Sequence, residues 1–466
     1  MAKMSNTTFE EIEIGATATL TRILSKTDIE VLALVSGDAN PFHIKSEDDF
    51  EVQSDANATQ GVGAEALVSA ALGTKLPGPG MKIIEQDLRF DGTIAVGDKL
   101  TATVTAKEKR KKNALVLFDC RCVNQDGQEL VSGTVTVSAP TKKISYSEVA
   151  PPQLVLRRGD AFIKLFKACE EIPPVVCAVV HPCDKNSLLG PVEAAKRGII
   201  EPVLVGPEDR IRGVAEAEGV DLSPYRIVPT LHSHAAAEKA VELARAGEVE
   251  ALMKGSLHTD ELLAPVVPSA TGLRTSRRIS HVFVMDVPSY PRMLLITDAA
   301  INIYPKLEEK VDIVQNAIDL AHALGIEEPK VAILSAVETV NPKIESTIEA
   351  AALCKMADRG QITGGILDGP LAFDNAVSEE AAKTKHIVSP VTGVADILLV
   401  PDLESGNMLA KQLSYLAGAE SAGIVLGTRV PIVLTSRADS VRSRLASTAV
   451  MALVAHARRT GKLPVR

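Results

Sequence analysis

A carboxylate and an imidazole stand five residues apart in the segment Ser36-Gly37-Asp38-Ala39-Asn40-Pro41-Phe42-His43. Pro41 cannot extend a helix and biases Asn40 away from the helical region, so Asp38 and His43 can turn toward one space. Converging on one water, they would form a general acid/base pair, with the histidine titrating near neutrality. A helix cap and a surface histidine are the competing reading of the same spacing. Three further segments gather groups suited to anions. Met253-Lys254-Gly255-Ser256-Leu257-His258-Thr259-Asp260 follows the apolar Ala251-Leu252 and sets a lysine and hydroxyls beside a glycine. Arg274-Thr275-Ser276-Arg277-Arg278-Ile279-Ser280-His281 carries three guanidiniums, the side chain that fits phosphate in a bidentate fork. Thr435-Ser436-Arg437-Ala438-Asp439-Ser440 follows the apolar Pro431 to Leu434 and opens the last helix, whose first amides would face an anion. For the serines of these segments, capping is the alternative role.

The elements that must position these residues read differently in the two parts of the chain. Thr27 to Val35 has apolar residues at helical spacing behind a Thr/Asp start. Ala64 to Lys75 is helix-like. Lys99 to Ala106 alternates Leu100, Ala102 and Val104 against threonines, and Ala114 to Cys122 puts Val116, Phe118, Cys120 and Cys122 on one face. Asn124-Gln125-Asp126-Gly127 is a turn, and Val131, Val135 and Val137 alternate after it. This predicts a helix followed by a strand meander, with Lys107 to Lys112 as a solvated hairpin tip. Alternation stops and prolines cluster between Ala139 and Pro152, which marks a linker. Beyond it, nearly continuous apolar runs (Pro174 to Val180, Pro202 to Val205, Val331 to Leu334, Ile397 to Val400, Ile432 to Leu434) alternate with helical segments such as Ala235 to Ala246, Leu307 to Leu324 and Ser440 to Ala457. That pattern predicts a mostly parallel sheet covered on both faces. Ligands of such folds bind beyond the carboxyl ends of the strands.

The whole chain of 466 residues is too long for one core. A formal charge of -9 and only 3% aromatic residues argue against a nucleic-acid partner. No apolar run approaches a membrane span or a signal-peptide core, so a soluble cytoplasmic protein is expected. Six scattered cysteines without CxxC pairs read as reduced and mostly packed. Neither a P-loop nor a dinucleotide fingerprint occurs.

The segment around Asp38, Asn40 and His43 resembles the hydration motif of the MaoC-like, R-specific enoyl-CoA hydratases, a lyase family with a hot-dog fold. The resemblance continues through Gln60-Gly61-Val62-Gly63, the loop Leu76 to Gly80, Gln86 to Phe90 and Val96-Gly97-Asp98. It implies that Asp38 and His43 activate water, that the backbone N–H of Gly61 binds the thioester carbonyl, and that Ser69 lies near the substrate. The family usually has histidine where this chain has Gln60.

The second part resembles the phosphate acetyl/butyryltransferase family over residues 155–463. The matching residues are Lys254-Gly255 with Thr259, Arg274 to Val282, Thr297-Asp298-Ala299-Ala300 with Asn302 and Pro305, Asp368-Gly369-Pro370 with Asp374-Asn375-Ala376, Val400 to Leu403 with Gly406-Asn407, and Ser436-Arg437. The resemblance implies a two-lobed α/β fold like that of isocitrate and isopropylmalate dehydrogenases. It also implies acyl transfer between coenzyme A and inorganic phosphate, with no metal or redox cofactor. Arg437 would neutralise phosphoryl oxygens and the developing oxyanion, and Ser436 would donate a hydrogen bond to sulfur or carbonyl. Lys254, Arg274 and Arg277 would hold phosphate, with Gly255, Thr259, Asp298, Asn302 and Asn407 lining the substrate site. Acetyl-type members carry an aspartate where this chain has Ser443, so the thiol base and the acyl length are open. A dehydrogenase of the same fold would need a metal-binding aspartate cluster, which the sequence does not display.

The reading is therefore an α+β hot-dog hydratase domain (1–145), a linker (146–158) and a phosphate acyltransferase domain (159–466). Lobe I of the latter is expected at 159–283 with 431–466, and lobe II at 284–430. Acyl-CoA, phosphate and acyl phosphate are the expected partners, without membrane or nucleic acid, in a homo-oligomer that is a dimer or built from dimers. The alternative keeps the transferase and makes the hot-dog domain a non-catalytic acyl-CoA-binding or oligomerisation module.

Overall fold

The computed structural model describes residues 3–37, 58–59, 62–92, 94–147, 160–436 and 439–463. The chain divides into two compact units, Met1–Leu156 and Arg157–Arg466.

In the first unit, five antiparallel strands run in the order Thr17–Ile23, Lys99–Arg110, Leu115–Val123, Glu129–Ser138, Lys82–Phe90. Period-two alternation aims Leu100, Ala102, Val104 and Ala106 into the core together with Val116, Phe118, Cys120 and Cys122, all at most 2% exposed. The helix Val62–Thr74 packs on that face through Ala64, Val68, Ala71 and Leu72, none more than 1% exposed. Gly133 makes the sheet possible at one crowded point. A Cβ there would drive into the carbonyl of Asp87 on the neighbouring strand. Register shifts at 83–85, 106–108 and 122–123 bend the strands around the helix. The short strand Ser145–Ser147 pairs with Lys3–Ser5, so chain inside the expected linker range is tied back to the N-terminus.

The second unit is built on one eleven-stranded sheet. Its order is Arg226–Pro229, Ile200–Gly206, Val175–Val180, Ala251–Lys254, Ile432–Val433, Glu420–Leu426, Ser280–Asp286, Leu294–Thr297, Ile397–Leu399, Lys330–Leu334, Ile366–Leu371. The first five strands are mutually parallel, as are the last four. Glu420–Leu426 and Ser280–Asp286 join the halves in antiparallel pairing. A mostly parallel sheet was the expectation; the reversal at its centre was not. Those two central strands are buried on both faces, so their apolar pattern matches that of parallel strands and carries no sign of direction. The last helix, Val441–Arg459, buries thirteen side chains, from Arg444 to Ala457, against the sheet and neighbouring helices.

Candidate active site

Parallel pairing brings the carboxyl ends of Val175–Val180, Ala251–Lys254 and Ile432–Val433 to one edge. Three loops therefore converge there, starting at His181, Gly255 and Leu434. Gly255 is required by close approach. Its N–H donates to the Val180 carbonyl at 2.9 Å, and a Cβ would lie 2.6 Å from the His181 carbonyl and closer still to that of Val180. Ser256 is spent locally, its Oγ donating to the His181 carbonyl at 2.8 Å and accepting from the Cys183 N–H at 3.2 Å.

Two buried cations meet at the loop after Ile432–Val433. Lys254 is 3% exposed, and its Nζ donates to the Thr435 carbonyl at 3.3 Å. Arg444, 1% exposed on the last helix, donates from Nη1 to Thr435 Oγ1 at 2.9 Å and to the Lys254 carbonyl at 3.4 Å, and from Nη2 to the Ser436 carbonyl at 2.9 Å. Burial pulls the Arg444 pKa below its usual value, opposed by the charges of Asp184 and Asp439. Asp439 closes the loop: its Oδ2 accepts from the Ser436 N–H at 2.6 Å. Ser440 caps the helix by accepting from the Ser443 N–H at 3.1 Å.

Above this floor lies a cleft of about 510 Å³, whose lining includes Thr259, His281, Asn407, Thr435, Ser436, Asp439 and Ser443. Asn407 is oriented by its Nδ2, which donates to the Ala299 carbonyl at 3.1 Å. His281 is held down to a pKa of about 4, chiefly by burial, with the charge of Asp298 and a hydrogen bond to the Leu434 carbonyl opposing.

The structure thus gathers Thr259, Asn407 and Ser436 in one cleft with Lys254 and Gly255 beneath. It uses other expected site residues elsewhere. Arg277 pairs with Asp319 and lines a separate small cavity beside Arg458. Arg278 pairs with Glu309 at 2.9 Å, and Arg274 is exposed, bridged through its backbone to Thr428. The expected cluster of guanidiniums is therefore dispersed, because two of the three meet carboxylates contributed by the helix Leu307–Ala323. Asp298 and Asn302 are buried at 2% and 3% and serve the loop itself. The Asp298 carboxylate accepts from the amides of Ala300 and Ile301 at 2.9 Å, His281 at 3.1 Å and Asn302 at 3.4 Å, and from Asn302 Nδ2 at 2.6 Å. Ser69 is half-buried on the helix Val62–Thr74. Asp38, Asn40, His43, Gly61 and Arg437 lie outside the described residues. His281, Thr435 and Arg444 have no assigned role in the sequence reading, although a charged residue on a buried helix stripe is a signal that could have been read.

Every cysteine with a resolved shift has its thiol pushed up by burial, Cys122 to about 11 and Cys120, Cys169 and Cys354 to about 12.

A family model described as phosphate acetyl/butaryl transferase matches residues 230–452. The phosphate acetyltransferase of Rhizobium meliloti is 65% identical over 300 residues, covering 64% of this chain and 95% of that protein. The phosphate butyryltransferase of Clostridium acetobutylicum is 46% identical over 286 residues, covering 61% of this chain and 94% of that protein. Among solved structures, a branched-chain phosphotransacylase from Enterococcus faecalis V583 superposes with a TM-score of 0.54 at 31% identity, covering 60% of this chain and 99% of that one. The C-terminal unit has the phosphotransacylase-like α/β fold.

Proposed function

The chain belongs to the phosphate acetyl/butaryl transferase family, and on that premise we propose that its C-terminal unit exchanges an acyl group between coenzyme A and inorganic phosphate in the cleft above Thr435 and Ser436. The observation that carries this reading is the pair of buried cations, Lys254 and Arg444, fastened to the floor of a cleft lined by hydroxyls and an amide. Acyl exchange brings a phosphoryl group and a thioester carbonyl together. The protein's contribution is to orient them and to stabilise the negative charge that develops on the carbonyl oxygen. Ser436 would donate to that oxygen or to sulfur, and Arg437, its neighbour in sequence, would neutralise phosphoryl charge. Thr259 and Asn407 line the same cleft. Asp298 and Asn302 act by shaping the wall.

The acyl group is acetyl or butyryl, in keeping with relatives of both kinds. The test is conversion of acetyl-CoA or butyryl-CoA plus phosphate to acyl phosphate, trapped as the hydroxamate. Arg437→Ala should remove it by orders of magnitude, and an unchanged rate would refute that residue's role.

For the N-terminal unit, the reading is a hot-dog domain that hydrates 2-enoyl-CoA to the (R)-3-hydroxyacyl-CoA. Its support is the motif Asp38-Ala39-Asn40-Pro41-Phe42-His43 and an antiparallel sheet packed on one apolar helix. Absence of crotonyl-CoA hydration from the wild type would leave that unit a binding or oligomerisation module, and hydration that survives Asp38→Asn would refute the role of that residue. A homo-oligomer belongs to the same proposal and is tested by light scattering.

A further inference from the structure

The helix Leu403–Leu416 lends one face to the cleft. Asn407, Ala410, Lys411, Ser414 and Tyr415 all line it, at the i, i+3, i+4, i+7 and i+8 spacing that sets side chains in one row along a helix. The row has an inner and an outer end. Asn407 is tied at the inner end, its Nδ2 donating to the Ala299 carbonyl at 3.1 Å, and Ala410 is 3% exposed. Tyr415, about 12 Å further along the axis than Asn407, is 81% exposed. The face therefore runs from the cleft wall to the cleft mouth.

Two side chains at that mouth have no task inside the protein. Lys411 is exposed, and its ammonium makes no hydrogen bond or ion pair among the described residues. Arg442, which also lines the cleft, is committed to Glu420 at 2.7 Å. The Tyr415 ring offers solvent a flat aromatic surface that costs little to order. Positions i and i+4 put the two side chains beside each other, with Cβ atoms about 5–6 Å apart. An uncommitted ammonium next to an open aromatic ring suits a nucleotide: the base stacks on the ring and a phosphate takes the charge.

Coenzyme A is a thiol joined through a pantetheine arm to an adenosine that carries a 3′-phosphate. With the thiol at Thr435 and Ser436, the nucleotide must lie away from the floor, toward the mouth. We infer that Lys411 and Tyr415 hold the nucleotide end of coenzyme A, the ammonium on the ribose 3′-phosphate and the ring against adenine, so that the site tells coenzyme A from its dephosphorylated and truncated forms. This rests on the acyl-transfer reading of the cleft.

The test uses the full chain. Acyl phosphate is supplied with coenzyme A or with dephospho-coenzyme A, which lacks the 3′-phosphate. The wild type should favour coenzyme A about tenfold in kcat/KM, Lys411→Met should bring that ratio close to one, and Lys411→Arg should keep it. The chain contains no tryptophan, so Tyr415→Trp sets a single reporter on the platform. Its fluorescence should be quenched by coenzyme A and not by 4′-phosphopantetheine, which has no adenine to stack. Equal use of the two coenzymes by the wild type, or a preference that Lys411→Met leaves in place, overturns the role of Lys411. Emission that changes with protein concentration and not with coenzyme A assigns the ring to a contact with a second copy and overturns the platform. Quenching needs no turnover, so the inference and its premise fail separately. A protein that transfers acyl groups but shows neither effect keeps the reaction and loses the nucleotide site, whereas quenching without acyl transfer keeps the nucleotide site and loses the reaction.

Discussion

Arg444→Met tests whether a buried positive charge works for the site or only for the fold. The guanidinium makes two short hydrogen bonds at 2.9 Å, to Thr435 Oγ1 and the Ser436 carbonyl, and a longer one at 3.4 Å. Charge-assisted bonds are worth about 1.5–3 kcal/mol each, so about 3–6 kcal/mol of gross interaction is lost. Removing the charge also relieves a desolvation penalty of several kcal/mol, since among the described residues no carboxylate lies at ion-pair distance. The difference leaves a net destabilisation of about 1–3 kcal/mol, seen as a lower denaturant midpoint. For catalysis nothing offsets the loss. At an effective dielectric of about 20 and a separation on the order of 7 Å, one guanidinium is worth roughly 2 kcal/mol per unit of negative charge on the ligand. Together with the loosened Thr435-Ser436 loop, this predicts a fall of about 30- to 100-fold in kcat/KM for acyl transfer. Arg444→Lys should recover only part of it, because one ammonium cannot span two residues of the loop as the fork does. Steady-state kinetics with phosphate and coenzyme A varied separately would check this. A methionine variant that is less stable but keeps full kcat/KM for phosphate would show that the charge plays no part in catalysis.

Gly255→Ala should be among the most disruptive single-carbon changes in the chain. The added methyl meets two backbone carbonyls rather than a movable side chain, so about 2–4 kcal/mol of stability and most transferase activity should be lost, as read by thermal melting and the hydroxamate assay. Asp298→Asn presents an amide N–H₂ to a nest of five N–H donors and should destabilise the C-terminal unit by about 3–5 kcal/mol; little change in urea midpoint would be the contrary result. His281 supplies a pH dependence. Its folded pKa, about 4 against an ordinary 6.5, means the unfolded chain takes up the proton first as pH falls. The contribution is fully present above pH 6.5 and is lost progressively down to pH 4, amounting to about 3 kcal/mol. His281→Gln should flatten the acid limb of stability by that amount, and equal slopes in the two proteins would contradict it.

What the sequence could reveal follows from which signals are local. Val175–Val180 and Lys330–Leu334 were visible as apolar runs, and Leu307–Ala323 as a helix, because each pattern lies within the element. The direction of Ser280–Asp286 was hidden, since a strand buried on both faces reads alike in either orientation. The site divides in the same way. Thr259 and Ser436 follow apolar strands directly, so their place at a strand end was legible. Arg277 was not, because what decides its role is Asp319, 42 residues on, and a loop arginine looks the same whether it faces an anion or a carboxylate of its own chain. Arg444 did leave a mark. It shares a helical stripe with Thr448, Met451 and Ala455, all buried, and a charge on such a stripe needs a reason.

The two titratable groups at the cleft floor show how one force yields opposite outcomes. Burial disfavours charge on both His281 and Arg444. The histidine starts near 6.5 and is driven fully neutral, while the arginine is lowered from a value far above neutrality and stays cationic. Desolvation therefore leaves a neutral ring and a fixed charge. Neither state changes across the range in which a thiol, with an ordinary pKa of about 8.5, takes on or gives up its proton. With those two groups constant, the rate of acyl phosphate consumption between pH 6 and pH 9 should follow ionisation of the thiol. Replacing coenzyme A by a thiol of lower pKa should then shift the whole profile downward by the difference, and a profile that stays in place would put the controlling ionisation on the protein.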